Sequence, residues 1–128
     1  MRVGQARAAA RDWVARHVSE VAGFGGAYVS GSTVGLPDSA ELSPTSDLDV
    51  VVVTAGPGSP PKLGKVLYRG ALLEISYQDW TELGTAEHLL GSYRLAGSFR
   101  VDTIIADPTG RLARLQAVVG RGFAERVW

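Results

Sequence analysis

The sequence predicts an α/β (α+β) domain in which a mixed β-sheet is flanked by helices, and three observations carry that expectation. An amphipathic helical pattern stands near each end of the chain. Between residues 65 and 77 two strand patterns follow one another with only Arg69-Gly70 between them, which disfavours a purely parallel, doubly wound sheet. The run Val50-Val51-Val52-Val53-Thr54 is β-branched throughout and suits a strand buried on both faces. With 128 residues, 45% of them hydrophobic, residues 1–128 read as one domain large enough to fold around its own core.

Taken in order, the predicted elements run α-β-β-β-β-α-β-α. From about Gln5 to Ala22 the residues Ala6, Ala10, Trp13, Val14, His17, Val18 and Val21 recur at helical spacing. Gly23-Phe24-Gly25-Gly26 ends that helix, and Ala27-Tyr28-Val29-Ser30 is a short strand running into Gly31-Ser32. Thr33 to Ser46 is turn-rich, with Gly35, Pro37, Asp38, Pro44 and Ser46. Asp47 to Thr54 is the clearest strand. Beyond the Gly/Pro loop at 56–61, Lys65 to Tyr68 and Ala71 to Tyr77 form a hairpin around Arg69-Gly70, and a helix is expected from about Asp79 to Leu90. Thr103 to Ala106 adds a strand, and Asp107-Pro108-Thr109-Gly110 opens a last helix striped with Leu112, Leu115, Val119, Phe123 and Val127.

Composition excludes several chemistries. Without cysteine there is no disulfide framework, zinc ribbon or thiol nucleophile. No apolar run approaches a membrane span and the first residues do not resemble a signal peptide, so the expectation is a cytoplasmic protein with no membrane partner. The formal net charge of +0 argues against nucleic acid as the partner, since that binding rests on excess Lys and Arg. The charge is unevenly spread: residues 31–60 contain four carboxylates and no Lys or Arg, a pattern that suits a cation site as readily as a solvated loop. Familiar phosphate motifs fail on detail. Gly23 to Tyr28 lacks the third glycine of a dinucleotide fingerprint and precedes a strand, and Gly64-Lys65-Val66 lacks the remainder of a P-loop.

The acids carry the chemistry. Residues i and i+2 of a strand point to one side, so Asp47 and Asp49 place two carboxylates together at the entry of a hydrophobic strand. Such a pair repels itself unless a proton or a cation intervenes. If the strand ending at Ser30 pairs antiparallel with the one starting at Asp47, then Gly31-Ser32 and both aspartates share one sheet edge. Glu74 alternates with Leu73 and Ile75 and supplies a third acid on a later strand. Taken singly, Asp47 is a turn cap, Asp49 a rim residue and Glu74 a solvated side chain. Together, with Gly-Ser before them, they make a site.

This arrangement resembles the nucleotidyltransferase superfamily that includes DNA polymerase β, poly(A) polymerases and aminoglycoside nucleotidyltransferases. The likeness rests on Gly31-Ser32, then Ser46-Asp47-Leu48-Asp49 leading into a hydrophobic strand, then Glu74, and spans about residues 26–77. It implies a nucleotidyltransferase-like fold and an enzyme that moves a nucleoside monophosphate from an NTP to a hydroxyl of a small-molecule, aminoglycoside-like acceptor. Asp47, Asp49 and Glu74 would be catalytic and would hold Mg²⁺, as two ions, with Mn²⁺ able to substitute; Gly31, Ser32 and Ser46 would contact the nucleotide. Arg69 and Arg94 are candidate phosphate partners. A transferase acting on a protein partner and a non-catalytic nucleotide-binding domain are the alternatives. The apolar stripe of the last helix, unbroken to Trp128, sets up two further expectations: a helical C-terminal domain in a longer chain, or a homodimer.

Overall fold

The computed structural model describes residues 1–56, 60–85, 88–89 and 103–125, with side chains as far as residue 122. Three helices and a mixed five-stranded sheet account for its regular structure: α1 (Val3–His17), β1 (Phe24–Ser30), a 3-10 turn (Gly31–Thr33), β2 (Leu48–Thr54), β3 (Gly64–Tyr68), β4 (Ala71–Asp79), α2 (Trp80–Leu83), β5 (Ile104–Ala106) and α3 (Arg111–Glu125). The strands lie in the order β3-β4-β2-β1-β5. β2 runs antiparallel to β1 and parallel to β4, and the outer pairs β3–β4 and β1–β5 are antiparallel. The α+β class and the element order agree with the sequence reading. No helix among the described residues is long and apolar enough to cross a membrane.

Each face of the sheet has its own core. On one face Ala6, Ala9, Ala10, Trp13 and Val14 of α1 pack on Val29, Leu48, Val50, Val52, Leu73 and Ile75. The other face gathers Tyr28 and Val53 with Leu83, Leu89, Leu112 and Val119. β2 is therefore apolar on both sides from Val50 to Val53, which is why its β-branched run stands out. The stripe of α3 is covered by this second face through Leu112, Leu115 and Val119. The side chains of Phe123 and Val127 lie outside the described residues.

Several boundaries shift by a residue or two, among them the start of β2 at Leu48, which leaves Asp47 just outside the strand, and three shifts are larger. α1 stops at His17, before Ala22, where Ser19 Oγ donates to Ala15 O and the chain turns through Val18 to Gly23. β1 begins at Phe24, three residues early, with Gly25 and Gly26 inside it: a Cβ on Gly25 would meet the Trp80 indole and one on Gly26 would meet Leu112, so these glycines let the second core approach the strand. α2 ends at Leu83 because Gly84 takes φ +82°. Of the expected continuation only Thr85, His88 and Leu89 are described; His88 and Leu89 are helical, as expected, and Leu89 N donates to Thr85 O.

The long β1–β2 connection is anchored on the start of α1. Val3 N donates to Ala40 O and Gly4 N to Asp38 O, satisfying amides that a helix N-terminus leaves open, while Leu42 N donates to Met1 O. Arg7 pairs with Asp38 at 2.7 Å and also donates to Thr33 O.

Candidate metal and phosphate site

Sheet register builds the site. Ser30 on β1 pairs with Asp49 on β2, Asp49 with Glu74 on β4, and Glu74 with Lys65 on β3. Directly paired residues share a face, so Lys65, Glu74, Asp49 and Ser30 form one row across four strands, on the face opposite α1. Asp47 stands two residues before Asp49, just ahead of β2, and adds its carboxylate to the same side. The three acids each bring one carboxylate oxygen to within 4.8 Å of the others. All three are half-buried at the sheet rim, behind a rigid apolar floor.

Gly31 closes the β1 side. Its φ is +82°, and a Cβ there would run into Asp49 Oδ2, so a residue without a side chain is required for the backbone to pass the carboxylate. Ser32 follows, exposed, in the 3-10 turn.

The charges of the acids differ with their surroundings. Burial pushes the Asp49 carboxyl up to about 6, the negative charge of Asp47 and the proximity of Glu74 add to the shift, and Lys62 opposes it. Glu74 moves the other way: its hydrogen bond from Lys62 holds it below the usual carboxylate range. Lys62 Nζ lies 2.5 Å from Glu74 Oε1, and Lys65 Nζ lies 3.6 Å from Asp47 Oδ2. The acidic segment 31–60 is thus compensated from elsewhere. Asp38 pairs with Arg7, Glu41 with the N-terminal amine and Arg2, and Asp47 with Lys65, leaving Asp49 without an ion pair of its own among the described residues.

The structure therefore brings together Asp47, Asp49, Glu74 and Gly31, with Ser32 alongside. Ser46 precedes Asp47 but is exposed, and its amide turns back to Ser43 O. Arg69 is no phosphate partner in this arrangement: it lies 3.2 Å from Asp12 and over the Tyr68 ring, on the α1 face. Arg94 lies outside the described residues. Lys62 and Lys65 escaped the sequence reading, because only the β3–β4 register carries them to the acids. The one signal available was that the chain's only two lysines stand together, just before and within the strand that pairs with Glu74.

The donor set suits a hard divalent cation. Three carboxylates offer oxygen ligands alone, as Mg²⁺ and Mn²⁺ prefer, and two ammonium groups already stand in as cations against them. Comparison of the chain with family models, with curated proteins and with solved structures finds no match.

Proposed function

We propose that the chain is a nucleotidyltransferase-like catalytic domain that uses Mg²⁺ to move a nucleoside monophosphate from an NTP to a hydroxyl of a small-molecule acceptor, releasing pyrophosphate. The observation that carries this reading is the meeting of Asp47, Asp49 and Glu74 on one face, with Gly31 pressed against Asp49 at the same rim. When bound, the metal supplies charge stabilisation to the attacking and leaving oxygens at phosphorus. The remaining work falls to the chain.

Asp49 on β2 and Asp47 just ahead of it would hold the metal, and Glu74 would complete the carboxylate set from β4. Gly31 leaves room for phosphate oxygens to approach the backbone beside Asp49, and the Ser32 hydroxyl offers them a donor. As the acceptor oxygen bonds to the α-phosphorus and the bond to the pyrophosphate oxygen breaks, Glu74 receives the hydroxyl proton. The rigid sheet contributes by positioning these groups in advance.

The test is transfer of label from an NTP radiolabelled at the α-phosphate, in Mg²⁺ and in Mn²⁺, over a panel of hydroxyl acceptors. Transfer is expected to fall about a hundredfold or more in Asp49→Asn and in Glu74→Gln, as when a group stabilising transition-state charge is lost. Absence of any effect of ATP, GTP, CTP or UTP on the thermal midpoint, with no label transferred, would overturn the reading.

A further inference from the structure

Both lysines of the chain are committed to the acidic site, and both lie on the same side of it. Lys65 is on β3 and Lys62 just before it, at the end of the row opposite Gly31 and Ser32. With neighbouring strands about 4.8 Å apart, the row from β3 to β1 spans roughly 14 Å, enough for two substrates side by side. Displacement at phosphorus runs roughly in line, with the attacking and leaving oxygens on opposite sides. Pyrophosphate leaving beside Gly31 and Ser32 therefore places the incoming acceptor on the β4–β3 side, where the lysines stand.

Resting on the function proposed above, we infer that Lys62 and Lys65 yield Glu74 and Asp47 to the incoming divalent metal and then present their ammonium groups to the acceptor, which is accordingly a hydroxyl compound bearing phosphate or carboxylate and not a polycation. Metal and ammonium groups compete for the same carboxylates. Before metal binds, the two lysines offset much of the negative charge of three acids, and a metal bound to the same carboxylates repels the ammonium groups. Their side chains are more than half exposed and sit on long flexible stems, so they can swing away from the acids while still tethered to the sheet edge. Two ammonium charges at that edge attract an anionic acceptor and repel an aminoglycoside. A lysine on an edge strand also guards against strand pairing, which is reason enough for Lys65 alone, beside the exposed Leu67. It does not account for Lys62, which precedes the strand and points at Glu74.

Lysine chemistry gives a clean readout, since reductive methylation with isotope-labelled formaldehyde marks only Lys62, Lys65 and the N-terminal amine and keeps their charge. The labelled protein is titrated with Mg²⁺ and the α,β-methylene analogue of whichever NTP raises the thermal midpoint. Both lysine signals are expected to shift as the ion pairs break, and not to shift in Asp49→Asn. The loaded complex is then titrated with ribose phosphate, ribose and kanamycin, as anionic, neutral and polycationic hydroxyl compounds. Ribose phosphate is expected to move the same two signals saturably and the other two compounds are not. Followed by phosphorus NMR, its binding is expected to weaken about tenfold in Lys62→Gln/Lys65→Gln, the loss of a charge-assisted hydrogen bond. Lysine signals that stay still while metal and nucleotide bind would overturn the exchange, and a response to kanamycin, or to none of the three, would overturn the acceptor charge. Absence of nucleotide binding would instead defeat the function on which the inference rests.

Discussion

Asp49 carries the least well compensated charge of the site. It lies between the Asp47 and Glu74 carboxylates and, among the described residues, has no ion pair of its own while they do. Its folded value of about 6 lies above the ordinary 3.8, so the folded chain holds a proton that the unfolded chain has lost between those pH values. The stability this confers is complete below about 4 and declines as pH rises through 6. Asp49→Asn, permanently neutral, should therefore stabilise the metal-free protein at pH 7.5 by about 1 kcal/mol, a figure discounted for a carboxylate that is only part-buried, and by close to nothing at pH 4. Urea unfolding at the two pH values measures this; equal effects, or a loss of stability at pH 7.5, would refute it. Metal affinity should rise across the same window as the competing proton leaves. Much of the candidate site was legible at this scale, because Asp47 and Asp49 are two residues apart and strand alternation fixes where Glu74 points. The lysines were not legible, since their role arises from pairing between strands, which no local pattern encodes.

The elements were legible where periodicity was strong and misplaced where tertiary contacts decide. The four-valine run and the Arg69-Gly70 hairpin fell where expected, and positive φ at both turn residues fits a two-residue turn whose twist matches its strands. The start of β1 was hidden because Gly25 and Gly26 read as a turn, whereas their missing side chains serve Trp80 and Leu112. The start of α3 was legible from Asp107, whose carboxylate accepts from Leu112 N at 3.1 Å and Ala113 N at 2.9 Å. Asp107→Ala should cost about 1–2 kcal/mol, since it strips two helix amides of their partner. Denaturant unfolding would show it, and a cost indistinguishable from zero would mean that this end of α3 contributes little to stability. Glu74 is not tied to α3 by any described contact, so the same variant should leave metal binding unchanged.

For the molecule as a whole, the two cores share one sheet, and the acids sit where that sheet reaches solvent. A ligand held there binds only the folded state. Mg²⁺ with an accepted NTP at 100 times its dissociation constant should add about 2.7 kcal/mol, a rise of several degrees in thermal midpoint that Asp49→Asn removes. The pairing of β1 with β5 has a separate consequence for the chain's birth. Tyr28 pairs with Ile104, and Tyr28 packs with Leu112 and Val119, whereas the acid row draws only on residues 30 to 74. Synthesis therefore delivers every member of the row before β5 and α3, which complete the apolar cover on the same face of the sheet. A chain ending near residue 90 would carry every member of the acid row while Tyr28 and Val53 lack Leu112 and Val119 on their face, a form more prone to stick to other chains. The residues of the site come early from the ribosome, and part of the cover of their own face comes late.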